Sequence, residues 1–238
     1  MATCTDSKKS RSLAPATVTE VEDLSPRLRR IRLTGETLRG LEWKPGQKVK
    51  IQAGPKLRSY TPARVDTSEG WMDIVFFVHG NGEASAWASA ASEGHQTGFV
   101  GPASSMPGVD STPAWALFLG DETTIGLAAA LLESLPDSVE IDGVIELDES
   151  DCGALRAFGL PLGVAVRKGR HGQALLDWLE DTELPSGDGV VWLSGEAETV
   201  RALKAVLLDR GMERSQLKIK PYWSIKGHAH RKAIQADL

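Results

Sequence analysis

The chain has 238 residues, a length at which two domains are the expectation. Its content of 41% hydrophobic and 25% charged residues supports a sizeable core, while a formal net charge of −5 argues against a nucleic-acid-binding protein. No apolar run reaches the roughly 18 residues of a membrane-spanning helix, and the polar start lacks the apolar segment of a secretion signal. We therefore expect a cytoplasmic protein without a membrane span, and a monomer. The two cysteines, Cys4 and Cys152, form no C-x-x-C pair, so iron–sulfur, zinc and other metal sites are not expected and redox chemistry would need an organic cofactor.

Short strands are predicted along the first half of the chain. Residues 1–16 are expected to form a flexible leader, polar and mildly basic at its start. Four runs then show the alternating or continuous apolar pattern of strands: 28–33, 48–51, 71–78 and 99–100. This spacing, without long helical stretches, predicts an antiparallel Greek-key β-barrel over residues 17–108.

One string in this barrel has three side chains suited to a flavin nucleotide. Arg58 offers a planar fork of donors to a phosphate, and Tyr60 offers a flat face to a ring system. Thr61 adds a hydroxyl that both donates and accepts hydrogen bonds. The alternative is a surface turn led by Pro62.

The segment after the third apolar run is a second candidate phosphate site. His79 is followed by two glycines, which let the backbone approach a ligand, and a short helix opens near Ala84 and Ser85. A helix N-terminus presents free N–H groups to a phosphate. The alternative is a plain strand-to-helix turn with Trp87 in the core.

Strands and helices alternate after Pro113, which predicts a parallel-sheet α/β nucleotide-binding domain over 109–223. The predicted strands are 115–119, 139–147, 162–166, 190–193 and 217–219, and the predicted helices are 125–135, 173–179 and 197–208. Ligands should bind at the carboxyl ends of the strands, near 120–123 and 194–196. Neither a G-x-G-x-x-G fingerprint nor a P-loop is present.

Two basic segments of this half leave alternatives open. The loop 167–171 either holds the 2′-phosphate of NADPH or is a solvated turn. The positively charged segment 218–232, which runs into the basic tail 224–238, either attracts an anionic substrate or is a solvated C-terminus, and for 230–232 a frayed end is the favoured interpretation.

An Arg-x-Tyr-Thr string in a barrel, followed by such an α/β domain, resembles the ferredoxin–NADP reductase superfamily. Within it, the chain is similar to the siderophore-interacting proteins, which are flavin-dependent ferric-siderophore reductases. The resemblance rests on these stretches: 45–50, 58–62, 79–88, 101–102, 120–123, 192–196 and 221–223.

The resemblance implies three sets of site residues. FAD would be held by Arg58, Ser59, Tyr60, Thr61, Val78, His79, Ala84, Ser85 and Trp87, with Thr61 in a supporting catalytic role near the reactive flavin nitrogen. NADPH or NADH would bind at Gly120, Asp121, Glu122, Thr123, Arg167, Gly195 and Glu196. The siderophore would contact Lys50, Lys48, Trp223 and Lys226.

The implied activity is that of an oxidoreductase in iron homeostasis, which reduces a ferric siderophore with electrons from NAD(P)H. Reduced ferredoxin is an alternative electron donor. Two other functions stay open: a general NAD(P)H:flavin or ferredoxin-linked oxidoreductase, and a flavin- or siderophore-binding protein without turnover.

Overall fold

The computed structural model describes residues 12–238. The strands of this part of the chain are β1 (Ala14–Ser25), β2 (Leu28–Thr34), β3 (Lys48–Ala53), β4 (Lys56–Tyr60), β5 (Arg64–Asp66), β6 (Trp71–Phe77), β7 (Gln96–Ala103), β8 (Trp115–Asp121), β9 (Glu140–Leu147), β10 (Gly163–Val166), β11 (Gly189–Glu196) and β12 (Leu217–Trp223). The α-helices are α1 (Glu83–Ala90), α2 (Ile125–Leu132), α3 (Ala154–Phe158), α4 (Gln173–Asp181), α5 (Ala197–Asp209) and α6 (His228–Asp237).

The first seven strands form an antiparallel sheet in the order β4-β3-β7-β1-β2-β6-β5. β4 and β5 lie at opposite edges of this sheet, yet only residues 61–63 connect them. Such a connection spans at most about 14 Å, so the two edges must lie close together and the sheet curls into a barrel. Its interior is filled by apolar side chains that include Val18, Ile31, Ile74 and Phe99. The predicted antiparallel barrel is confirmed.

The last five strands form a parallel sheet in the order β10-β9-β8-β11-β12. Helices cover both of its faces, because α2 and α3 pack in one apolar cluster and α4 and α5 pack in another. The sequence predicted this arrangement from the alternation of strands and helices, and the structure confirms it.

Apolar and ionic contacts join the two domains. Leu24, Leu28 and Ala63 of the barrel pack in the same cluster as α2 and α3. Arg27 pairs with Asp148 and Asp151, and the Arg27–Asp151 distance is 2.6 Å. The barrel and the parallel sheet therefore meet along a continuous packed interface.

Three sequence predictions need correction. Residues 1–11 of the predicted leader lie outside the described residues, but β1 begins at Ala14, so the end of that segment belongs to the barrel. The sequence reading missed α3 altogether. The predicted tail contains α6, which contacts α5 and β12 and buries Ile234, so residues 230–232 are not a frayed end.

The predicted domain boundary at 108–109 falls between β7 and β8. No helix within residues 12–238 has the length and apolar character needed to cross a membrane.

Candidate active site

A cavity of about 450 Å³ lies between the two domains, and we call it the interdomain cavity. The barrel contributes Ser59, Tyr60, Thr61, Val75, Phe77 and His79, and the α/β domain contributes Glu122, Thr123, Gly126, Leu127, Tyr222 and Trp223. Aromatic and aliphatic walls with a few hydroxyls are typical of sites for planar cofactors.

The end of β4 supplies one wall of this cavity. Tyr60 packs on Phe76 with ring centroids 4.5 Å apart, and Phe76 packs on Trp87 at 5.4 Å. Trp87 therefore lies behind Tyr60 and supports it. This agrees with the alternative interpretation, in which Trp87 packs in the core. Burial raises the pKa of Tyr60 to about 12, so the ring is neutral at physiological pH.

Arg58 lies just outside this wall, and its side chain is exposed. Its described hydrogen bond is a long one of 3.5 Å to the carbonyl oxygen of Leu57. Within residues 12–238 no carboxylate forms an ion pair with it. The guanidinium is therefore free to bind a phosphate, as the sequence predicted for a flavin nucleotide.

The segment from Val78 to Trp87 contributes only His79 to the interdomain cavity. Gly80 and Gly82 adopt φ values of 78° and 83°, a conformation that favours glycine. Ser85 is buried, and its hydroxyl accepts a hydrogen bond of 3.1 Å from the Gly80 N–H. Val78, Ala84 and Ser85 thus shape the turn into α1 without lining this cavity.

The predicted nucleotide loops meet at Asp121, which is 1% exposed. Its carboxylate accepts hydrogen bonds from the backbone N–H groups of Thr123 (3.0 Å) and Glu196 (2.9 Å) and from the Trp223 indole N–H (2.9 Å). Gly195 is required beside it, because a Cβ there would lie 2.4 Å from Asp121 Oδ2. Asp121 holds the ends of β8, β11 and β12 together.

Of the remaining residues of these loops, two line the interdomain cavity and two have structural roles. Glu122 and Thr123 line the interdomain cavity. Glu196 is buried, and its carboxylate caps α5 through the Thr199 N–H at 3.0 Å. Gly120 is the residue before the last in β8 and has no room for a side chain, since a Cβ there would lie 2.2 Å from Thr124 Oγ1.

Arg167 is surrounded by carboxylates. Its guanidinium pairs with Glu122, with Glu146 at 3.1 Å and with Asp148 at 3.1 Å. Burial alone would lower the pKa of Arg167, but the hydrogen bond to Glu122 and the charges of Glu122 and Glu146 raise it above its ordinary value. Each of its three nitrogens donates a hydrogen bond to a carboxylate of the protein, so its charge is already compensated before any nucleotide phosphate could bind.

A smaller cavity of about 150 Å³, which we call the basic cavity, adjoins the interdomain cavity. Its cationic side chains are Lys48 from β3, Lys220 from β12 and Arg231 from α6. Burial and the charges of Lys48 and Arg231 lower the pKa of Lys220. The two cavities share four wall residues: Ser59, Tyr60, Thr61 and Tyr222.

The predicted substrate residues are not brought together. Lys48 lines the basic cavity, whereas Lys50 is exposed on the same face of β3 and lines neither cavity. Trp223 lines the interdomain cavity. Lys226 lines neither of these two cavities and pairs with Glu198 at 3.2 Å.

The sequence assigned no individual site role to Lys220, Tyr222 or Arg231, although Lys220 and Arg231 lie in the basic segment considered for an anionic substrate and Tyr222 lies in a family motif. The alternation of Lys218 and Lys220 in a strand that leads to Tyr222 was the available signal for the first two. For Arg231 the signal was only the local excess of positive charge, because its place in the cavity depends on the packing of α6.

A third cavity, of about 420 Å³, lies between the first turns of α4 and α5, and we call it the α4–α5 cleft. Arg170, Arg201 and Lys226 are its Arg and Lys residues, and Leu176 and Ile225 are among its apolar ones. Glu198 pairs with both Arg201 and Lys226. Arg170 forms no ion pair within the described residues and hydrogen-bonds Gln173 at 3.3 Å.

Comparison with known proteins identifies the family. Residues 113–226 match the siderophore-interacting protein family, and residues 52–106 match the siderophore-interacting FAD-binding domain. Both domains of the chain thus match models of the siderophore-interacting proteins. This confirms the family that the sequence motifs indicated.

Individual relatives extend over most of this chain. Ferric vibriobactin reductase ViuB of Vibrio cholerae is 27% identical over 233 residues, which cover 84% of this chain and 85% of the relative. An NADPH-dependent ferric-chelate reductase of Escherichia coli is 25% identical over 194 residues, covering 80% and 72%. The crystal structure of a siderophore utilization protein from T. fusca superimposes with a TM-score of 0.79 at 26% identity, covering 91% of this chain and 94% of the other.

The residues present fit the cofactor that the family match indicates, FAD. The interdomain cavity has room for a planar ring, Tyr60 supplies an aromatic wall and Thr61 a hydroxyl, and the uncompensated guanidinium of Arg58 lies beside them.

Proposed function

We propose that this protein uses FAD to pass electrons from NADPH or NADH to Fe(III) held in a siderophore, and that it releases Fe(II) in the cytoplasm. One observation supports this most directly. An aromatic cavity suited to a flavin and a cavity with three cations share the wall formed by Ser59, Tyr60, Thr61 and Tyr222. A reduced ring and an anionic iron complex would thus be held side by side.

The chemistry requires a converter between electron pairs and single electrons. A nicotinamide delivers two electrons as hydride, whereas each Fe(III) accepts one. Bound FAD would supply this conversion, so one hydride would reduce two ferric complexes and release one proton to solvent, and no acid–base side chain would need to touch the iron. The protein has to hold the ring, leave one edge accessible and attract the anionic complex.

The chain's own residues divide these tasks. We assign Tyr60 to stacking on the ring, Thr61 to hydrogen bonding at its edge and Arg58 to the pyrophosphate. Lys48, Lys220 and Arg231 would attract the anionic siderophore, and Lys50 would add charge at the rim. Because Arg167 is engaged by carboxylates, Arg170 in the α4–α5 cleft is our candidate for the 2′-phosphate of NADPH, with Glu122 and Thr123 facing the nicotinamide end.

Two half-reactions test the proposal. Purified protein should be yellow, and anaerobic NADPH or NADH should bleach it. A ferric siderophore should then restore the colour, and a ferrous chelator such as ferrozine should report two Fe(II) per flavin. Gallium siderophore is the matched control, because Ga(III) has the same charge and a similar size but accepts no electron, so it should leave the flavin bleached.

Other outcomes favour other functions. Equal reoxidation by free flavin and by ferric siderophore would indicate a general flavin reductase. Bleaching by reduced ferredoxin but by neither nucleotide would identify ferredoxin, and not NADPH or NADH, as the electron donor. A protein that binds the siderophore and is never reduced would have a binding function without turnover.

A further inference from the structure

Tyr222 is the residue that joins the two cavities across the domain interface. Its hydroxyl lies 2.6 Å from the hydroxyl of Thr61, although the two residues are 161 positions apart. Thr61 comes directly after β4 of the barrel, whereas Tyr222 belongs to β12 of the α/β domain. Both residues line the interdomain cavity and the basic cavity.

Relative acidity favours one direction of this hydrogen bond. A phenol is more acidic than an aliphatic alcohol, so the Tyr222 hydroxyl is the better donor and the Thr61 oxygen the better acceptor. Burial raises the pKa of Tyr222 to about 12, which keeps its proton in place at neutral pH. Donation from Tyr222 to Thr61 Oγ1 is therefore the favoured arrangement.

This direction constrains what Thr61 can do. A hydroxyl has one hydrogen and two acceptor positions, and in this arrangement Tyr222 occupies one acceptor position of Thr61 and leaves its hydrogen unused. Thr61 is 6% exposed, and its hydroxyl has no other described partner within residues 12–238. Its hydrogen is thus available to a group that occupies the interdomain cavity.

We propose that Tyr222 is a positioning residue that occupies one acceptor position of the Thr61 hydroxyl and thereby biases this hydroxyl to donate a hydrogen bond to the flavin ring. This inference rests on the proposed function, because it requires a flavin in the interdomain cavity. The ring edge carries an unprotonated acceptor nitrogen in the oxidised form and an N–H donor in the reduced form. A Thr61 hydroxyl biased toward donation therefore favours the oxidised form, which lowers the midpoint potential and increases the driving force toward Fe(III).

The test measures the midpoint potential of FAD-loaded protein by spectroelectrochemical titration, without nucleotide or siderophore. Tyr222→Phe removes the phenol oxygen and keeps the ring. It should shift the oxidised–reduced equilibrium about fivefold toward the reduced form, as expected for one neutral hydrogen bond. Thr61→Val should shift it in the same direction, and the double variant should add little to either single change. Thr61→Ser keeps the hydroxyl and should retain the wild-type potential.

Thermal unfolding of the apoproteins separates this role from a structural one. If Tyr222 only fastens the domains together, Tyr222→Phe will lower the melting temperature and leave the potential of the loaded protein unchanged, which overturns the inference. If Tyr222→Phe does not fold, an unchanged potential in Thr61→Val has the same consequence. A wild-type protein that binds no FAD would instead overturn the proposed function itself.

Discussion

Arg58 in the barrel and Arg167 after β10 are the two arginines that the sequence proposed as nucleotide ligands, and their surroundings are opposite. Arg58 is exposed on the edge strand β4 and has no ion pair among the described residues. Arg167 is 13% exposed in its side chain and contacts Glu122, Glu146 and Asp148. An arginine beside a strand can bind a phosphate only where carboxylates of the protein do not already pair with its guanidinium.

The carboxylates that make this difference come from other strands. Glu146 lies near the end of β9, Asp148 follows that strand, and Glu122 follows β8, so the parallel sheet brings all three to the edge where Arg167 emerges. Among the described residues, the acid paired with β4 is Glu83, which contacts Lys56 at 3.6 Å and forms no ion pair with Arg58. The comparison predicts that one arginine determines stability and the other determines cofactor binding.

Replacement of Arg167 by leucine should have the largest effect. It would leave Glu146, which is fully buried, and Glu122, which is 5% exposed, without their cation. Removal of one partner from a buried ion pair costs about 3 to 5 kcal/mol. Urea unfolding of the apoprotein should therefore show a much lower midpoint for Arg167→Leu.

Arg170→Leu is the matched control, three residues along the same loop. Arg170 is exposed and has no ion pair within residues 12–238, so its replacement should change the free energy of unfolding by less than about 0.5 kcal/mol. It should instead reduce the preference for NADPH over NADH. If Arg167→Leu unfolds like the wild type and loses only that preference, the assignment of the two arginines is reversed.

Replacement of Arg58 by glutamine should act on the cofactor alone. Loss of a charge-assisted bond to phosphate is expected to weaken FAD binding about 10- to 100-fold, measured by flavin fluorescence on titration of the apoprotein. Lys56→Gln removes a charge two residues earlier on the same face of β4 and serves as the control. Equal weakening by both variants would indicate general electrostatic attraction rather than a bond from Arg58.

The sequence predicted the elements better than the contacts between them. Alternation in 28–33 and the apolar run 71–78 predicted barrel strands, and the helix of residues 197–208 was found within one residue of α5, because these patterns are local. The role of α6 was not predictable in this way, since its residues are mostly polar and only Ile234 is buried. Arg231 reaches the basic cavity through that packing.

The same limit applies to the candidate site. Arg58, Tyr60 and Thr61 follow one another in the chain, so a single string indicated them. The partners that define their roles are distant: Tyr222 for Thr61, and Phe76 with Trp87 for Tyr60. Residue type showed which groups have suitable chemistry, whereas tertiary contacts decide which of them are free.

The basic cavity offers the smallest and most specific test. The pKa of Lys220 is lowered by burial and by the nearby charges of Lys48 and Arg231, so Lys220 loses its proton at a lower pH than an ordinary lysine. An anionic ferric siderophore binds the protonated form, and its affinity should therefore fall as the pH rises from about 7 toward about 10. Fluorescence quenching by the siderophore measures this dissociation constant.

Two variants of the same residue make this test decisive. Lys220→Arg keeps the charge over the whole pH range, because a guanidinium does not titrate there, and its affinity should stay nearly constant. Lys220→Gln should bind about tenfold more weakly at neutral pH and show little further loss, since the titrating group is gone. A wild-type profile as flat as that of Lys220→Arg would show that the anion does not depend on the Lys220 charge, and would move its site from the basic cavity toward Lys50 at the rim. An unchanged slope in Lys220→Gln would assign the titration to the siderophore itself.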